Sequence, residues 1–155
     1  MLFSTKAEYG VRLMVELGRQ PGSEPVALSA VAEAERLPLS YLEHLVAKLR
    51  QAGLVTSTRG AHGGYRLARA PEQITMDQVV EALEGQIAPM ECFHETPEGK
   101  VLCSHEADAD HCATKLLWTR VQGGVNKALS GTSLADLVEF AGPRETIKES
   151  VGSAV

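Results

Sequence analysis

The sequence contains no uninterrupted apolar run approaching the roughly 18 residues that a membrane span needs. Its opening stretch, MLFSTKAEYGVRLMVEL, carries Glu8, Arg12 and Glu16 where a secretory signal would be free of charge. These two absences lead to the expectation of a soluble, cytoplasmic protein with no membrane partner. There is no internal repeat, no nucleophile motif and no cofactor loop, and Gly60–Gly64 lacks the Lys-Ser/Thr of a phosphate loop, so an enzyme is not expected. Cysteine is scarce: Cys92, Cys103 and Cys112 are the only three, and none belongs to a tight Cys-x2-Cys knuckle. An odd number in a reducing compartment excludes a disulfide framework. What is present suffices for one core with a dimerisation appendage: 155 residues, 44% hydrophobic and 23% charged.

A net positive charge is also missing. The formal net charge is −5, which is unpromising for a partner of nucleic acid until its distribution is read. Residues 1–70 hold nine Lys or Arg against six acids, and residues 71–155 hold six against fourteen. From Lys48 to Arg69 there are five bases and no acid. The pattern is that of a basic contact surface on an acidic molecule, or of an ordinary solvated face.

Periodicity places the elements. Thr5 and Glu8 stand at capping-box spacing and open a first helix with Tyr9, Leu13, Val15 and Leu17 apolar, broken by the Pro21–Pro25 segment. A short helix over 29–35 and the turn Arg36-Leu37-Pro38-Leu39 follow. Ser40 is expected to cap a third helix, with Glu43 completing a box. Leu42, Leu45, Val46 and Leu49 form its buried stripe at i, i+3, i+4 and i+7. Residues 54–58 and 65–68 then form a hairpin around the tip Arg59-Gly60-Ala61-His62-Gly63-Gly64. Helix, tight turn, helix and hairpin in this order make a winged helix-turn-helix. A helix over 75–84 carries Ile74, Val79, Val80 and Leu83. Residues 86–113 show no clear period and hold all three cysteines. A helix over 113–129 has Leu117, Val121, Val125 and Leu129 along one side, weakened by Gly123-Gly124, and a last short helix runs from Ser133 to Phe140. The fold class is therefore mainly α with a small β-hairpin. The expected units are a DNA-binding domain (1–85), a cysteine-containing loop (86–113), a dimerisation helix with a short helix after it (114–142) and a frayed tail (143–155).

The outward face of the third helix offers the contacts to double-stranded DNA. Ser40 and Tyr41 lie at its N-terminal end, where the helix dipole favours phosphate. Glu43 either accepts a hydrogen bond from a cytosine amino group or serves the capping box. His44 is a reader or a solvated surface residue, and Lys48 adds charge one turn on. At the wing, Gly60 and Gly63 let backbone approach a phosphate, and Arg59 is placed to enter a narrow minor groove.

Ser40-Tyr41-Leu42-Glu43, Gly53-Leu54-Val55 and Arg59-Gly60-x-x-Gly63-Gly64-Tyr65 resemble the IscR/NsrR-type regulators of the Rrf-two family. The resemblance continues through Ile74, Val79-Val80 and the three cysteines to Leu117-Trp118 and Ser133–Leu137, nearly the whole chain. It implies a homodimer with a long crossing helix and DNA binding controlled by an iron–sulfur cluster, 2Fe-2S or 4Fe-4S, held by Cys92, Cys103 and Cys112. Two features depart from the family. The spacing Cys92-x10-Cys103-x8-Cys112 is wide, and Lys115 stands where IscR-like members place a histidine ligand. NsrR-like members use an acid from the partner subunit's first helix, a position that Glu8 occupies here; pairing with Thr5 is its other role. His111, His94 and His105 are local rivals for the fourth ligand. Chemistry independent of the family points the same way. Thiolates bind iron–sulfur centres, and the acids around these cysteines disfavour thiolates that lack a metal. The expected protein is a homodimeric regulator binding its DNA operator under cluster control. The alternative is a zinc-structured or thiol-redox winged-helix regulator without a cluster.

Overall fold

The computed structural model describes residues 3–20, 24–87, 94–95, 101–102 and 112–143. Helix α1 spans Thr5–Gly18, α2 Leu28–Glu35 and α3 Leu39–Gln51. A hairpin of β1 (Val55–Thr58) and β2 (Gly64–Leu67) follows, then a single 3-10 turn and α4 (Met76–Glu84). Two-residue strands β3 (His94–Glu95) and β4 (Val101–Leu102) pair antiparallel within the segment that lacked a period in the sequence. Helices α5 (Ala113–Ser130) and α6 (Leu134–Ala141) complete the order. The expected architecture, mainly helical with a small hairpin, is observed, and β3–β4 adds a second, shorter strand pair.

The sequence stripes become the core. Leu42, Leu45, Val46 and Leu49 of α3 are all buried, and they meet Leu13, Met14 and Leu17 of α1 and Val31 of α2. Ile74, Val79 and Leu83 close the cluster from the α4 side. Gly10 is what lets α1 and α4 approach, since a β-carbon there would strike the Leu83 side chain. The hairpin registers Val55 with Leu67 and Thr58 with Gly64. It gains a third edge where Val26 and Tyr65 exchange backbone hydrogen bonds of 2.8 Å in both directions.

Helix starts differ from the local reading in two places. Ser4, one residue earlier than expected, caps α1, its hydroxyl accepting from the Lys6 amide at 3.2 Å. The acid that completes this end is not Glu8 but Glu84, the last residue of α4. Its Oε1 accepts from the Ser4 amide at 2.9 Å, the Ser4 hydroxyl at 2.5 Å and the Ala7 amide at 3.3 Å. Partial burial pushes the Glu84 carboxyl up, but the hydrogen bonds from Ser4 and Ala7, with Lys6 nearby, outweigh this and hold it below its ordinary 4.5. At α3 the N-cap is Pro38, whose carbonyl accepts from Tyr41 and Leu42 at 3.1 Å each. Proline fixes φ near the helical value, so the turn begins there and Ser40 falls inside the helix with no capping bond.

Helix α6 shares the core of the first 85 residues. Leu134 is fully buried, its amide donates to the Ile74 carbonyl at 2.7 Å, and Met76 donates to Thr132 at 3.0 Å. Ser133 and Asp136 form a reciprocal capping box at its start. Arg19 extends from the end of α1 to the Ala141 carbonyl at 3.0 Å and to the buried Glu16 at 3.4 Å.

Candidate nucleic-acid interface

The turn between α2 and α3 is tight because Arg36 adopts the left-handed conformation (φ 54°, ψ 46°). Leu37 then turns into the core, its amide bonded to the Ala32 carbonyl at 2.9 Å. The two helices are thereby fixed with one side of α3 facing solvent. Ser40, Glu43, His44 and Lys48 are exposed on that side, and Tyr41 is half-buried. Because Pro38 takes the cap, the capping alternative for Glu43 falls away and its carboxylate faces outward.

Lys48 has a second engagement that spacing did not reveal. Its ammonium donates to the Leu83 carbonyl at 3.2 Å, at the C-terminal end of α4 where helical carbonyls lack internal partners. Lys48 therefore fastens α3 to α4. Arg50 reaches the Ser57 hydroxyl and Arg66 the Thr56 hydroxyl, each at 3.3 Å, so two more bases of the acid-free stretch brace the hairpin. Arg59 is different. It is exposed at the wing tip and carries no hydrogen bond or ion pair among the described residues. Gly63 is demanded by the tip itself, since a β-carbon there would strike the Thr58 carbonyl, whereas Gly60 (φ 118°) opens onto free space.

Tyr41 leads to residues that the sequence reading passed over. Its ring meets Tyr9 of α1 edge to face, with centroids 5.7 Å apart and planes at 89°. The Arg12 guanidinium lies 5.9 Å from the Tyr9 ring centre. The same guanidinium binds the Glu35 carboxylate at 2.9 Å and the Glu35 carbonyl at 2.7 Å, and lies 3.8 Å from Glu8. The i,i+4 spacing of Glu8 and Arg12 was the available signal for part of this network.

Cys92, Cys103, His105 and His111 lie outside the described residues, and of His94 only its place in β3 is described. Cys112 is the residue that precedes α5 and is half-buried. Its sulfur is 3.0 Å from the Thr114 hydroxyl. Hydrogen bonds from the Thr114 hydroxyl and the Lys115 amide, with smaller help from the Thr114 amide and the Lys115 charge, pull this thiol below its ordinary 9.0 against the opposing effect of burial. The acids expected to bear on the cysteines lie in the segment before Cys112 and, apart from the place of Glu95 in β3, outside the described residues. Glu8, freed of any capping role, is 62% exposed. It lines an apolar groove of about 550 Å³ with Phe3, Ala7, Val11, Val80 and Leu129. Along α5, Leu116 and Leu117 are 58% and 53% exposed, and Val121, Val125 and Leu129 are half-buried.

A helix-turn-helix with a solvent-facing second helix, followed by a glycine-rich hairpin, defines a winged-helix DNA-binding protein. Comparison with known proteins makes this more specific. The Rrf2 family, described as iron-dependent transcriptional regulators, matches residues 3–140. The chain is 37% identical over 140 residues to the HTH-type transcriptional regulator CymR of Bacillus subtilis, covering 90% of this chain and 91% of that protein. It is 34% identical over 138 residues to the regulator IscR of Aliivibrio salmonicida, covering 89% and 77%. Among solved structures it superposes on CymR of B. subtilis, described as a global cysteine regulator, with a TM-score of 0.72 over 89% of this chain and 96% of that one. The IscR of T. potens gives the same TM-score at 36% identity, covering 90% and 88%. The chain belongs to the Rrf2 family of DNA-binding transcription regulators, and its relatives are regulators rather than enzymes. No helix among the described residues is long and apolar enough to cross a membrane.

Proposed function

We propose that this regulator binds a palindromic operator as a homodimer and that an iron–sulfur cluster controls the binding. The carrying observation for DNA reading is the exposed side of α3 beside a hairpin tip bearing an unengaged Arg59. In this reading Ser40, Tyr41, Glu43 and His44 face the major groove, while Arg59, Gly60 and Gly63 meet the adjacent backbone and minor groove. Lys48 contributes charge to the same face while its ammonium is held by Leu83. The dimer forms through α5, whose Leu116 and Leu117 are more than half exposed in a single chain.

Cys92, Cys103 and Cys112 hold the cluster, with Glu8 of the other subunit or His111 as fourth ligand. The donor set fits: three thiols, of which Cys112 is shifted toward the thiolate that ligation requires, and a carboxylate on an exposed face of α1. A bound cluster would supply a centre sensitive to redox state and to small ligands. The chain's own contribution is to place Cys112 at the start of the dimerisation helix and Glu8 one turn into α1, two elements that lead directly to the DNA-binding unit. A second reading, thiol chemistry without a cluster, is favoured by the lowered Cys112 thiol and by the likeness to CymR, the cysteine regulator.

Anaerobically purified protein tests both parts. Visible sulfur-to-iron absorption with iron and sulfide in the sample supports the cluster. A colourless protein whose DNA binding responds to oxidant supports the thiol reading, and zinc without colour supports a structural metal. Selection from a randomised duplex pool tests the operator. An enriched inverted repeat is expected, and failure to enrich any sequence in either loaded or metal-free form overturns the DNA-reading assignment.

A further inference from the structure

We propose that Arg12 is the positioning residue of the recognition helix, acting through the α2–α3 turn and through Tyr9 on Tyr41. The proposal rests on the reading that α3 contacts DNA, and it concerns a residue on a different helix, α1.

Two routes lead from one guanidinium. The first goes to Glu35, the final residue of α2. Arg12 Nε donates to the Glu35 carboxylate at 2.9 Å, and a terminal nitrogen donates to the Glu35 backbone carbonyl at 2.7 Å. That carbonyl belongs to the last turn of α2, where carbonyls lack helical partners, so the guanidinium supplies a C-terminal cap as well as an ion pair. The Glu35 side chain is only 13% exposed, which keeps the pair from being screened away. The next residue is Arg36, the single non-glycine residue with positive φ among those described. Whatever fixes Glu35 therefore fixes the angle at which α3 leaves the turn. The second route passes through the Tyr9 ring, within cation–π range at 5.9 Å, to Tyr41 in the first turn of α3. The two routes reach the N-terminal end of the recognition helix from both sides, the backbone before it and a side chain within it.

Lysine cannot reproduce this arrangement. It keeps the charge but lacks the planar fork that addresses a carboxylate and a carbonyl together. Arg12→Lys thus separates positioning from net charge. The probe is the duplex that the wild-type protein enriches from a randomised pool, compared with a scrambled duplex of the same length. Arg12→Lys is expected to weaken binding to the enriched duplex by about tenfold, while binding to the scrambled duplex and the salt dependence change less than about twofold. Glu35→Gln, which keeps the backbone carbonyl bond, is expected to lose less, and the double variant no more than Arg12→Lys alone. Ring NMR signals of the three tyrosines give a readout that needs no DNA: Arg12→Lys should shift Tyr9 and Tyr41 and leave Tyr65 in place.

A merely structural role would lower the melting temperature yet leave the ratio of the two DNA affinities unchanged well below it. An unchanged ratio, a parallel loss on both duplexes, or Tyr41 signals indifferent to Arg12→Lys would each overturn the proposal. If Arg12→Lys does not fold, the same ratio and the Tyr41 signals are read in Glu35→Gln. If the wild-type protein enriches no sequence at all, the DNA reading has failed instead, and the tyrosine spectra still decide whether Arg12 governs Tyr41.

Discussion

Removing the Glu84 carboxylate should loosen the first turn of α1 by an amount the geometry bounds. One oxygen accepts three donors, from Ser4 N, Ser4 Oγ and Ala7 N. Hydrogen bonds to a charged group contribute about 1.5–3 kcal/mol in favourable cases. Here the three share one oxygen at a partly solvated site, so their sum is far from additive, and loss of a helix N-cap is a better guide at about 0.5–2 kcal/mol. Glu84→Ala should therefore cost about 1–2 kcal/mol, and Glu84→Gln, which keeps an acceptor but loses the charge facing the helix dipole, about 0.5–1 kcal/mol. The pH dependence fixes the cause. The folded carboxyl is held below its ordinary 4.5. Its contribution is therefore complete above that value and disappears as pH falls through the lower folded value. Urea unfolding at fixed protein concentration, repeated from pH 7 downward, should show the wild-type advantage over Glu84→Gln shrinking only below about pH 4.5. An advantage that persists unchanged into more acidic solution, or a Glu84→Ala variant as stable as wild type, would refute the claim that charge at this oxygen holds α1.

Three further outcomes are expected. Arg59→Ala should weaken binding to the enriched duplex by about 1–3 kcal/mol, measured by fluorescence anisotropy at physiological salt, with undiminished affinity removing Arg59 from the interface. The double change Val121→Asp and Val125→Asp should yield monomers in sedimentation velocity, because charge on the half-buried side of α5 cannot be desolvated against a second copy; a persistent dimer would place the interface elsewhere. Cys112→Ala should leave anaerobically reconstituted protein colourless or quick to bleach while far-UV circular dichroism stays the same, and a normal, stable visible spectrum would exclude Cys112 as a ligand.

The fold was legible where chemistry is local. The α3 stripe from Leu42 to Leu49 and the glycine-rich tip after Arg59 are short-range patterns, and both stand in the structure as read. The start of α1 was misread because the decisive partner is remote, Glu84 lying 80 residues from Ser4, whereas at α3 the adjacent Pro38 takes the cap from Ser40. Lys48 was read as surface charge because sequence gives no sign that the end of α4 lies beneath its ammonium. At Cys112, hydrogen bonds from Thr114 and the Lys115 amide pull the thiol below its ordinary value, a short-range effect that residue composition does not display. Arg12 escaped because Glu35 comes from another helix and Tyr41, on a third, is reached only through Tyr9.

The burial of Leu134 makes the core discontinuous along the chain. The polypeptide leaves α4 at Gly85, returns to the core with Leu129 near the end of α5, and through Thr132 and Leu134 is bonded to Met76 and Ile74 at the other end of α4. Helix α5 itself packs against α4, and the residues that follow it are bonded to the start of α4. A fragment ending at Gly85 would leave the Leu134 socket open and should not behave as a free-standing DNA-binding domain. Helix α4 thus joins α5 and the Leu134 segment to the DNA-binding elements, since it holds Ser4 of α1 through Glu84 and Lys48 of α3 through Leu83.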